Sequence, residues 1–378
     1  MKLFHISDLH LGKRLNEYSL LEDQRFILSQ IIAKIDAEKP DALLIAGDVY
    51  DKPIPPVEAV TLFDDFLYQL TQRKLNVLLI SGNHDSAERV AFGSRLLARN
   101  GLYFSPAYQG SISPVTLSDE FGMVDFFLLP FIKPAHIRRH HPEDETVSYT
   151  DAVSHAIRHM QVDSSRRNVL VTHQFVTGAS LSDSEEISVG GSENVDAAVF
   201  APFDYVALGH IHGPQSISAP TIRYCGSPLK YSFSEANHQK SITVIQLAEK
   251  GKVDVSVLPL HPKRELRKMQ GDFATLTDPD FYQKQDRDAY WQITLTNEEL
   301  IPNAVQILRQ IYPNMLHLSF ENRRTAANQY LAAAVEPEKR TPVDLFAELY
   351  QLQNNQPMTD DQRQYIHQLV EKIREAQA

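Results

Sequence analysis

Residues 3–10 read LFHISDLH, a short apolar run that ends in serine, aspartate and histidine. Four later segments have the same form: residues 42–48 (ALLIAGD), 77–85 (VLLISGNHD), 169–174 (VLVTHQ) and 205–212 (YVALGHIH). Short continuous apolar runs bounded by turn residues are typical of buried strands. The pattern therefore predicts buried strands that are each followed at once by polar side chains.

Stretches with helical spacing of apolar residues lie between these strands, at 24–37, 57–72 and 150–160. Alternation of strand and helix predicts an α/β sheet. In such sheets, ligands gather at the carboxyl ends of the strands. Each of the five runs ends in a residue that can hold a metal ion, so the fold and a metal site are predicted at the same place.

The chain changes character after about residue 264. Residues 290–295 and 315–320 read as strands and 303–311 as a helix, which predicts a small α+β domain. A capping box, Thr359 with Gln362, then begins a terminal helix that has one apolar stripe. We expect four parts: a metal-site domain at 1–262, a cap domain at 263–324, a linker at 325–340 and a helical segment at 341–378.

Composition and charge set broad limits on function. The single cysteine, Cys225, excludes a disulfide framework and a cysteine-based zinc site, so we expect a cytoplasmic protein. No apolar run approaches the roughly 20 residues of a membrane-spanning helix, so no membrane association is expected. The net charge is 37 − 48 = −11, which argues weakly against a nucleic-acid binder. Two divalent cations would make an acidic site electropositive, so the net charge decides little.

The candidate site consists of carboxylate, imidazole and amide side chains at the five strand ends, without a thiolate. Mn²⁺ and Fe²⁺ suit such ligands, and Zn²⁺ remains open. Two ions about 3.5–4 Å apart need a bridging carboxylate, and Asp48 is the natural bridge. The candidates are Asp8, His10, Asp48, Asn83, His84, His173, His210 and His212.

Taken singly, each of these residues has a simpler explanation. An aspartate after a strand is most often a turn or cap residue, and a lone histidine is most often a hydrogen-bonded core residue. The agreement of five strand ends is what favours a metal site. His155 and His159 also have ligand spacing on a helix, but no glutamate lies between them and no third ligand is evident. We interpret both as surface residues.

The segments DLH, GD, GNHD, TH and GHIH, in this order, resemble the signature of the calcineurin-like metallophosphoesterase superfamily. Residues 6–13 (ISDLHLGK) and 225–233 (CGSPLKYSF) resemble, more closely, the Mre-type nuclease branch that includes the SbcD family. This resemblance implies an α/β fold, a metallophosphoesterase β-sandwich flanked by helices, with an α+β cap domain that binds DNA and with C-terminal helices.

The resemblance also implies the roles of the site residues. One ion would be held by Asp8, His10, Asp48 and His212, and the other by Asp48, Asn83, His173 and His210. His84 would face the scissile phosphate and stabilise the transition state or protonate the leaving oxygen, work that suits an imidazole near neutral pH. The implied reaction is manganese-dependent hydrolysis of DNA phosphodiesters by a water that two metal ions activate.

The implied substrates are double-stranded DNA ends, cut as an exonuclease, and hairpins, opened as an endonuclease, in DNA repair, recombination and replication. The implied partner is an SbcC-type, SMC-like ATPase. ATP would bind that partner, since this chain has no Gly-x-x-x-x-Gly-Lys-Ser/Thr loop. A homodimer within a heterotetramer is also implied. The anchors for the ATPase would be Phe346, Leu349, Ile366, Leu369, Val370 and Ile373.

DNA contacts are expected at Lys13, Arg14 and Lys230, whereas the basic residues at 138–141 and 323–324 read more simply as solvated surface. Another phosphodiesterase, acting on a small or cyclic nucleotide, would have the same core, and a scaffold with a vestigial site is the third possibility. The domain after Arg264 favours the nuclease. Residues 47–53 lack the arginine of the related phosphoprotein phosphatases, which favours a diester substrate.

Overall fold

The structure is a computed structural model that describes residues 1–185, 193–299, 301–321, 343, 346–347, 350 and 357–377, with side chains to residue 370. It divides into two compact units, one of Met1–Leu295 with Ile301–Ser319 and one of Thr296–Leu300 with Phe320–Ala378. The expected linker, Leu349 and the side chain of Ile373 lie outside the described residues. The boundaries of the four parts given above stay predictions.

Two six-stranded mixed sheets form the centre of the first unit. The first has the order β14 (Val253–Pro259), β13 (Ser241–Leu247), β1 (Lys2–Ile6), β4 (Ala42–Ala46), β5 (Asn76–Ile80) and β6 (Leu102–Phe104). The second has the order β11 (Gln215–Ile217), β12 (Ala219–Tyr224), β10 (Tyr205–Gly209), β9 (Arg167–His173), β8 (Gly122–Leu129) and β7 (Val115–Asp119). Strands β1, β4, β5 and β6 are parallel, as are β8, β9, β10 and β12, so their carboxyl ends point the same way within each sheet.

Helices cover both outer faces of this pair of sheets. The helices of the first unit are α1 (Leu21–Glu38), α2 (Val57–Gln72), α3 (Ala87–Val90), α4 (Ser94–Leu97), α5 (Pro134–His140), α6 (Tyr149–His159), α7 (Phe273–Thr277), α8 (Pro279–Tyr282) and α9 (Ala304–Ile311). Side chains of α1 and α2 share a core with the first sheet, and side chains of α5 and α6 share one with the second. A third core lies between the sheets.

Alternate residues of the inner strands face different cores. In β1, Phe4 and Ile6 pack toward the helices, whereas Leu3 packs toward the second sheet. In β4, Leu43 packs toward the helices and Leu44 packs toward the second sheet. Strands that are buried on both faces need apolar residues at every position, which explains the continuous apolar runs of the sequence. The prediction of an α/β sandwich flanked by helices is confirmed.

A smaller sheet follows in the same unit, in the order β15 (Leu266–Gly271), β16 (Tyr290–Leu295) and β17 (Met315–Phe320). Strands β16 and β17 and helix α9 match the predicted elements to within one residue. Strand β15 was not predicted, because exposed Arg267 and Lys268 interrupt its apolar residues. A two-stranded hairpin, β2 (Arg14–Leu15) and β3 (Tyr18–Ser19), extends from the loop after β1.

The second unit ends in helix α10 (Asp360–Gln377). The capping box is present, since the Thr359 amide donates to Gln362 Oε1 at 3.0 Å and the Gln362 amide to Thr359 Oγ1 at 3.4 Å. Ile366 and Val370 are half-buried, and Leu369 is exposed. Among the described residues, no helix is both long and apolar enough to cross a membrane.

Candidate metal centre

The loops after β1, β4, β5, β9 and β10 converge at one edge of the sandwich. The loop after β1 runs beside the loop after β4, with the Asp8 amide donating to Gly47 O and the His10 amide to Asp48 O, each at 3.0 Å. The His210 amide donates to Asp8 Oδ1 at 3.1 Å, which ties the loop after β10 to the first sheet. Hydrogen bonds from three backbone amides therefore fix the relative positions of the loops after β1, β4 and β10.

Four of the expected ligands have a left-handed backbone. The φ angles are 54° for Asp8, 42° for His10, 49° for Asp48 and 101° for His210. Residues other than glycine rarely adopt positive φ, and such strain persists only where the surrounding structure imposes it. Strain of this kind clusters at functional sites, so it favours a functional role for these four residues.

Two glycines allow the close approach of the loops. A Cβ at Gly209 would lie 1.8 Å from Ala46 O, and one at Gly47 would lie 2.5 Å from His173 Nδ1. The space that they leave is used by a hydrogen bond from His173 Nδ1 to Ala46 O at 2.8 Å. This bond places the proton of a neutral His173 on Nδ1 and leaves a lone pair on Nε2, the usual orientation of a metal-binding histidine.

The ligand atoms face one another at short distances. His173 Nε2 and His210 Nδ1 each lie 3.0 Å from Asn83 Oδ1. His173 Nε2 lies 3.2 Å from Asp48 Oδ2, and His10 Nε2 lies 3.7 Å from that same oxygen. Asp48 thus stands between two groups of ligands, as a bridging carboxylate must.

The second group lies on the other side of Asp48. His10 Nε2 and His212 Nε2 are 3.1 Å apart, and ligand atoms of Asp8, His10 and His212 lie within 4.8 Å of one another. Imidazole nitrogens and carboxylate oxygens that converge in this way are lone-pair donors directed at a common point. The donor set fits two divalent cations of the Mn²⁺, Fe²⁺ or Zn²⁺ class, and the structure brings together all seven expected ligands.

Burial and neighbouring charge determine the protonation of the cluster without ions. Burial raises the pKa of Asp8 and lowers that of His10, and burial with the nearby His173 lowers the pKa of His210 to about 3. For His173, burial opposes charge, but the Asp48 carboxylate prevails and raises the pKa to about 9. A divalent ion would replace the proton of His173, so metal binding and proton binding compete here.

His84, the expected catalytic residue, lies at the edge of this cluster and is half-buried. Its amide donates to Asp48 Oδ1 at 2.9 Å, and its Nδ1 lies 3.1 Å from Asp51 O. With Nδ1 donating to this carbonyl, Nε2 is the nitrogen that is left for a substrate. The ring meets the His10 ring edge to face, with 4.8 Å between centroids.

Glu235, which had no predicted role, supports His212 from behind. The fully buried Glu235 carboxylate lies 3.2 Å from His212 Nδ1. It accepts a hydrogen bond from Ser184 Oγ at 2.6 Å and forms an ion pair with Lys240. A carboxylate on the far nitrogen orients a ligand histidine and raises its basicity. Glu235 follows the CGSPLKYSF segment by two residues, and that proximity was the available signal.

A second unassigned acid, Asp85, holds the loop of the bridging residue. Its carboxylate accepts the amides of Val49 and Gly82 at 3.0 Å and of Tyr50 at 2.9 Å. Burial, opposed by these amides, raises the pKa of Asp85 to about 6. The Gly-Asn-His-Asp segment contained this residue, but no sequence pattern shows that an acid will fold back on a neighbouring loop.

The three residues expected to contact DNA differ in accessibility. Arg14 is more than half exposed on the β2–β3 hairpin, and Lys13 Nζ donates to Asp51 Oδ1 at 2.8 Å beside the cluster. Lys230 is only 8% exposed, and its Nζ donates to Glu265 Oε2 and to Ala236 O, both at 2.7 Å. This placement disfavours a direct DNA contact by Lys230, because both bonds would have to break first.

Comparisons with known proteins agree with this geometry. Residues 1–214 match the family model described as calcineurin-like phosphoesterase, and residues 262–354 match the type 5 capsule protein repressor C-terminal domain. The chain is 34% identical over 380 residues to the SbcD subunit of the nuclease SbcCD from Staphylococcus epidermidis, covering 99% of each protein. A crystal structure of a dimetal phosphatase from Danio rerio aligns with 68% of this chain and 95% of that one, at 12% identity and a TM-score of 0.41.

The fold and the site define a metallophosphoesterase, and the first family match covers more than half of the chain. The chain belongs to the calcineurin-like phosphoesterase family and, within it, to the SbcD family of nuclease subunits. The resemblance stated from the sequence motifs is confirmed. The similarity to the zebrafish phosphatase structure is too low to inform the fold further.

Proposed function

We propose that this chain is a metal-dependent DNA nuclease that acts with an SbcC-type ATPase, as an exonuclease on double-stranded ends and as an endonuclease on hairpins, in DNA repair and recombination. The observation that carries the proposal is the convergence of seven ligand-type side chains and His84 in a chain that aligns, over 99% of its length, with an SbcD nuclease subunit. A cytoplasmic location is part of the same proposal.

The ligand distances support the assignment of two metal positions. Asp8, His10, Asp48 and His212 would hold one ion, and Asp48, Asn83, His173 and His210 the other; Mn²⁺ is the ion that we propose first. When bound, such a pair clamps the phosphate and activates the attacking water. The residues of the chain hold the ligand atoms apart at fixed distances, and the buried site excludes bulk water from around them.

His84 would act on the leaving group. With Nδ1 donating to Asp51 O, a protonated ring presents Nε2–H to the substrate. Donation of this proton to the departing sugar oxygen removes the need to release an alkoxide. The half-buried position beside Asp48 is compatible with contact to a phosphate that lies over the cluster.

A phosphodiesterase for small or cyclic nucleotides is not favoured. The similarity to the SbcD nuclease continues through β15, β16 and β17, and a second family model matches residues 262–354. A small diester gives little physical reason for this additional domain. All expected ligands are present with close distances, so a vestigial site is not favoured either.

The test is cleavage of a hairpin-ended duplex with Mn²⁺ and the SbcC-type partner, comparing the wild type with His84→Ala and with a surface control, His261→Gln. We expect hairpin opening by the wild type and the control, and a loss of about 100-fold or more in His84→Ala. Hydrolysis of bis(p-nitrophenyl) phosphate, measured in parallel, reports on the metal centre without DNA.

Intact DNA together with rapid hydrolysis of the small diester would contradict the nuclease proposal and leave the two-metal chemistry standing. Loss of neither activity in His84→Ala would contradict the role of His84. Arg14→Gln should weaken DNA binding and reduce its salt dependence, since each phosphate contact releases counterions.

We also propose that the C-terminal segment docks on the ATPase as a helix in a groove. Phe346, Tyr350, Met358, Tyr365 and Ile366 line an apolar depression of about 330 Å³ in the second unit. Leu369 and Val370 lie one turn further along α10. Ile366→Glu with Leu369→Glu should abolish co-purification with the partner, whereas Gln364→Glu, on the exposed face of the same helix, should not. Hydrolysis of the small diester should stay unchanged in all of them.

A homodimer is the remaining part of the proposal, and an exposed apolar surface supports it. Phe92 is 85% exposed and Leu96 72%, and both line a depression of about 340 Å³ with Val60 of α2. Apolar surface of this kind on one face is typical of a protein–protein interface, which supports the proposal. Phe92→Glu with Leu96→Glu should halve the mass measured by light scattering, whereas Val147→Glu, at an equally exposed apolar residue elsewhere, should not. A monomeric wild type would contradict the homodimer.

A further inference from the structure

The ring of His10 lacks a support that two of the other ligand histidines have. The Nδ1 atoms of His173 and His212 lie 2.8 Å from a backbone oxygen and 3.2 Å from a carboxylate oxygen, respectively. Among the residues that the structure describes, His10 Nδ1 has no hydrogen-bond partner, and Asp51 Oδ1 is 3.8 Å away. A ligand histidine is normally oriented through its second nitrogen. The position of His10 must therefore depend on its backbone and on the rings around it.

The backbone of the His10 loop is held by a side chain of α1. His10 O accepts a hydrogen bond from the Lys13 amide at 3.0 Å and a second one from Gln24 Nε2 at 2.7 Å. Gln24 Oε1 in turn accepts the Gly12 amide at 3.0 Å. One side-chain amide thus closes the turn between residues 10 and 12, where φ is 42° for His10 and 91° for Gly12.

Tyr231 completes the frame around this loop. Its hydroxyl donates to Leu9 O, and its ring meets the rings of His10 and His212 edge to face, with centroids 5.4 Å and 5.7 Å away. Gln24 is 1% exposed and Tyr231 2%, so solvent has little access to replace their hydrogen bonds. Loss of a partner without replacement by water has the full cost of an unmade bond.

The residue before Gln24 contacts the smaller sheet, β15–β17, instead of the loop. Asp23 Oδ2 accepts hydrogen bonds from the Tyr290 hydroxyl at 2.7 Å and from Arg264 Nη1 at 3.0 Å. Asp23 is buried, and a buried carboxylate is strongly destabilising when such partners are removed. Consecutive residues in the first turn of α1 therefore bond to the smaller sheet and to the loop of His10.

We propose that Gln24, with the Tyr231 hydroxyl, is a positioning residue for His10, and that Asp23 makes the smaller sheet part of this support. The inference rests on the proposed role of His10 as a metal ligand. Gln24 fixes the backbone from which the His10 imidazole extends. Without it, the imidazole can move relative to the other ligands of its ion, whereas the ion position that does not include His10 keeps its ligands.

The test is calorimetric titration of the metal-free, full-length protein with Mn²⁺. Gln24→Met keeps the approximate size of the side chain and removes its hydrogen bonds, so we expect one of two binding steps to weaken by about 10-fold. The matched control is Gln30→Met, which should bind like the wild type, because Gln30 lies on the same helix but bonds to the backbone of His261.

A variant of the ligand itself separates positioning from a general loss of stability. In a His10→Gln background the affected ion position is already weakened, so Gln24→Met should cause no further change in Mn²⁺ binding. An equal additional loss in that background would show that Gln24 does not act through His10, and it would overturn the proposal.

Two smaller changes and a measurement without metal extend the test. Tyr231→Phe removes only the bond to Leu9 O and should weaken the same binding step, so the test does not depend on the folding of one variant. Hydrogen exchange of the His10 amide, which bonds to Asp48 O, should be faster in metal-free Gln24→Met than in the metal-free wild type. Tyr290→Phe should shift both measurements in the same direction by less.

The outcomes distinguish this inference from the metal centre on which it rests. Wild-type Mn²⁺ affinity in Gln24→Met and Tyr231→Phe, beside a weakened step in His10→Gln, would overturn the inference and leave the metal centre standing. Wild-type affinity in His10→Gln would overturn the ligand assignment and the inference together. An effect of Gln24→Met that Tyr290→Phe does not share would overturn the part assigned to Asp23 and the smaller sheet.

Discussion

Replacement of Glu235 by glutamine tests whether metal binding depends on the carboxylate that contacts His212, one of the candidate ligands, on its far ring nitrogen. Glu235 Oε1 lies 3.2 Å from His212 Nδ1, and its other oxygen pairs with Lys240. Burial would raise the pKa of Glu235, but the hydrogen bond from His212 and the charge of Lys240 hold it well below its usual range. The carboxylate is therefore ionised and makes His212 a stronger ligand.

Two effects of Glu235→Gln have different magnitudes. Loss of a carboxylate behind a ligand histidine costs about 10- to 100-fold in metal affinity, or about 1.4–2.8 kcal/mol. The Lys240 ammonium, which is 4% exposed, also loses its counter-charge, and an unpaired buried charge costs about 3–5 kcal/mol of stability. The double variant Glu235→Gln, Lys240→Met removes the second effect and keeps the first.

The assay is the Mn²⁺ dependence of bis(p-nitrophenyl) phosphate hydrolysis, with thermal unfolding of each variant measured alongside. We expect both variants to need about 10- to 100-fold more Mn²⁺ for half-maximal rate and to approach the wild-type rate at saturation. Only the single variant should be strongly destabilised, and Glu249→Gln, an exposed control, should match the wild type. An unchanged Mn²⁺ requirement in the double variant would refute the reasoning.

Three further predictions concern other parts of the fold. Burial lowers the pKa of His5 to about 3, below the unfolded value of about 6.5, so stability should fall by about 1.4 kcal/mol per pH unit as pH drops below 6.5. His5→Gln should reduce this dependence of the unfolding free energy on pH, measured by urea unfolding between pH 7 and 5. Equal pH dependence in the wild type and the variant would contradict the prediction. Asp85→Asn keeps one acceptor oxygen for three backbone amides and should lower stability by about 1.5–3 kcal/mol, measured by urea unfolding; a loss below about 0.5 kcal/mol, within ordinary surface effects, would argue against it. Gly209→Ala puts a methyl group against Ala46 O and should prevent folding, which the soluble yield measures against Gly213→Ala; a normal yield would show that the loops can separate.

The fold could be predicted because the inner strands are buried on both faces. The runs ALLIA and VLLI have no polar position at which an alternative sheet face could be exposed, so they specify central strands directly. The candidate metal ligands could be located from the sequence because each comes within a few residues of such a strand. Helix α2 matched its predicted bounds at both ends, since Pro56 precedes it and a polar turn follows it.

Residues whose roles depend on contacts with distant parts of the sequence could not be predicted. Glu235 lies 23 positions from His212, and no periodicity links a helical-turn acid to a distant ligand histidine. Lys230 was expected at the DNA because it is basic and adjacent to a motif, but its pairing with Glu265 depends on the packing of β15. Strand β15 itself was missed, because its exposed residues obscure its alternation.

The backbone, more than the side chains, determines the geometry of the metal centre. Asp8, His10 and Asp48 reach a common point only because each has positive φ, and amide-to-carbonyl bonds between neighbouring loops hold them there. Without cations, this arrangement keeps two carboxylates buried side by side, of which burial raises the pKa of Asp8. The packed sandwich supplies the free energy that holds this strain, and bound ions would relieve the repulsion.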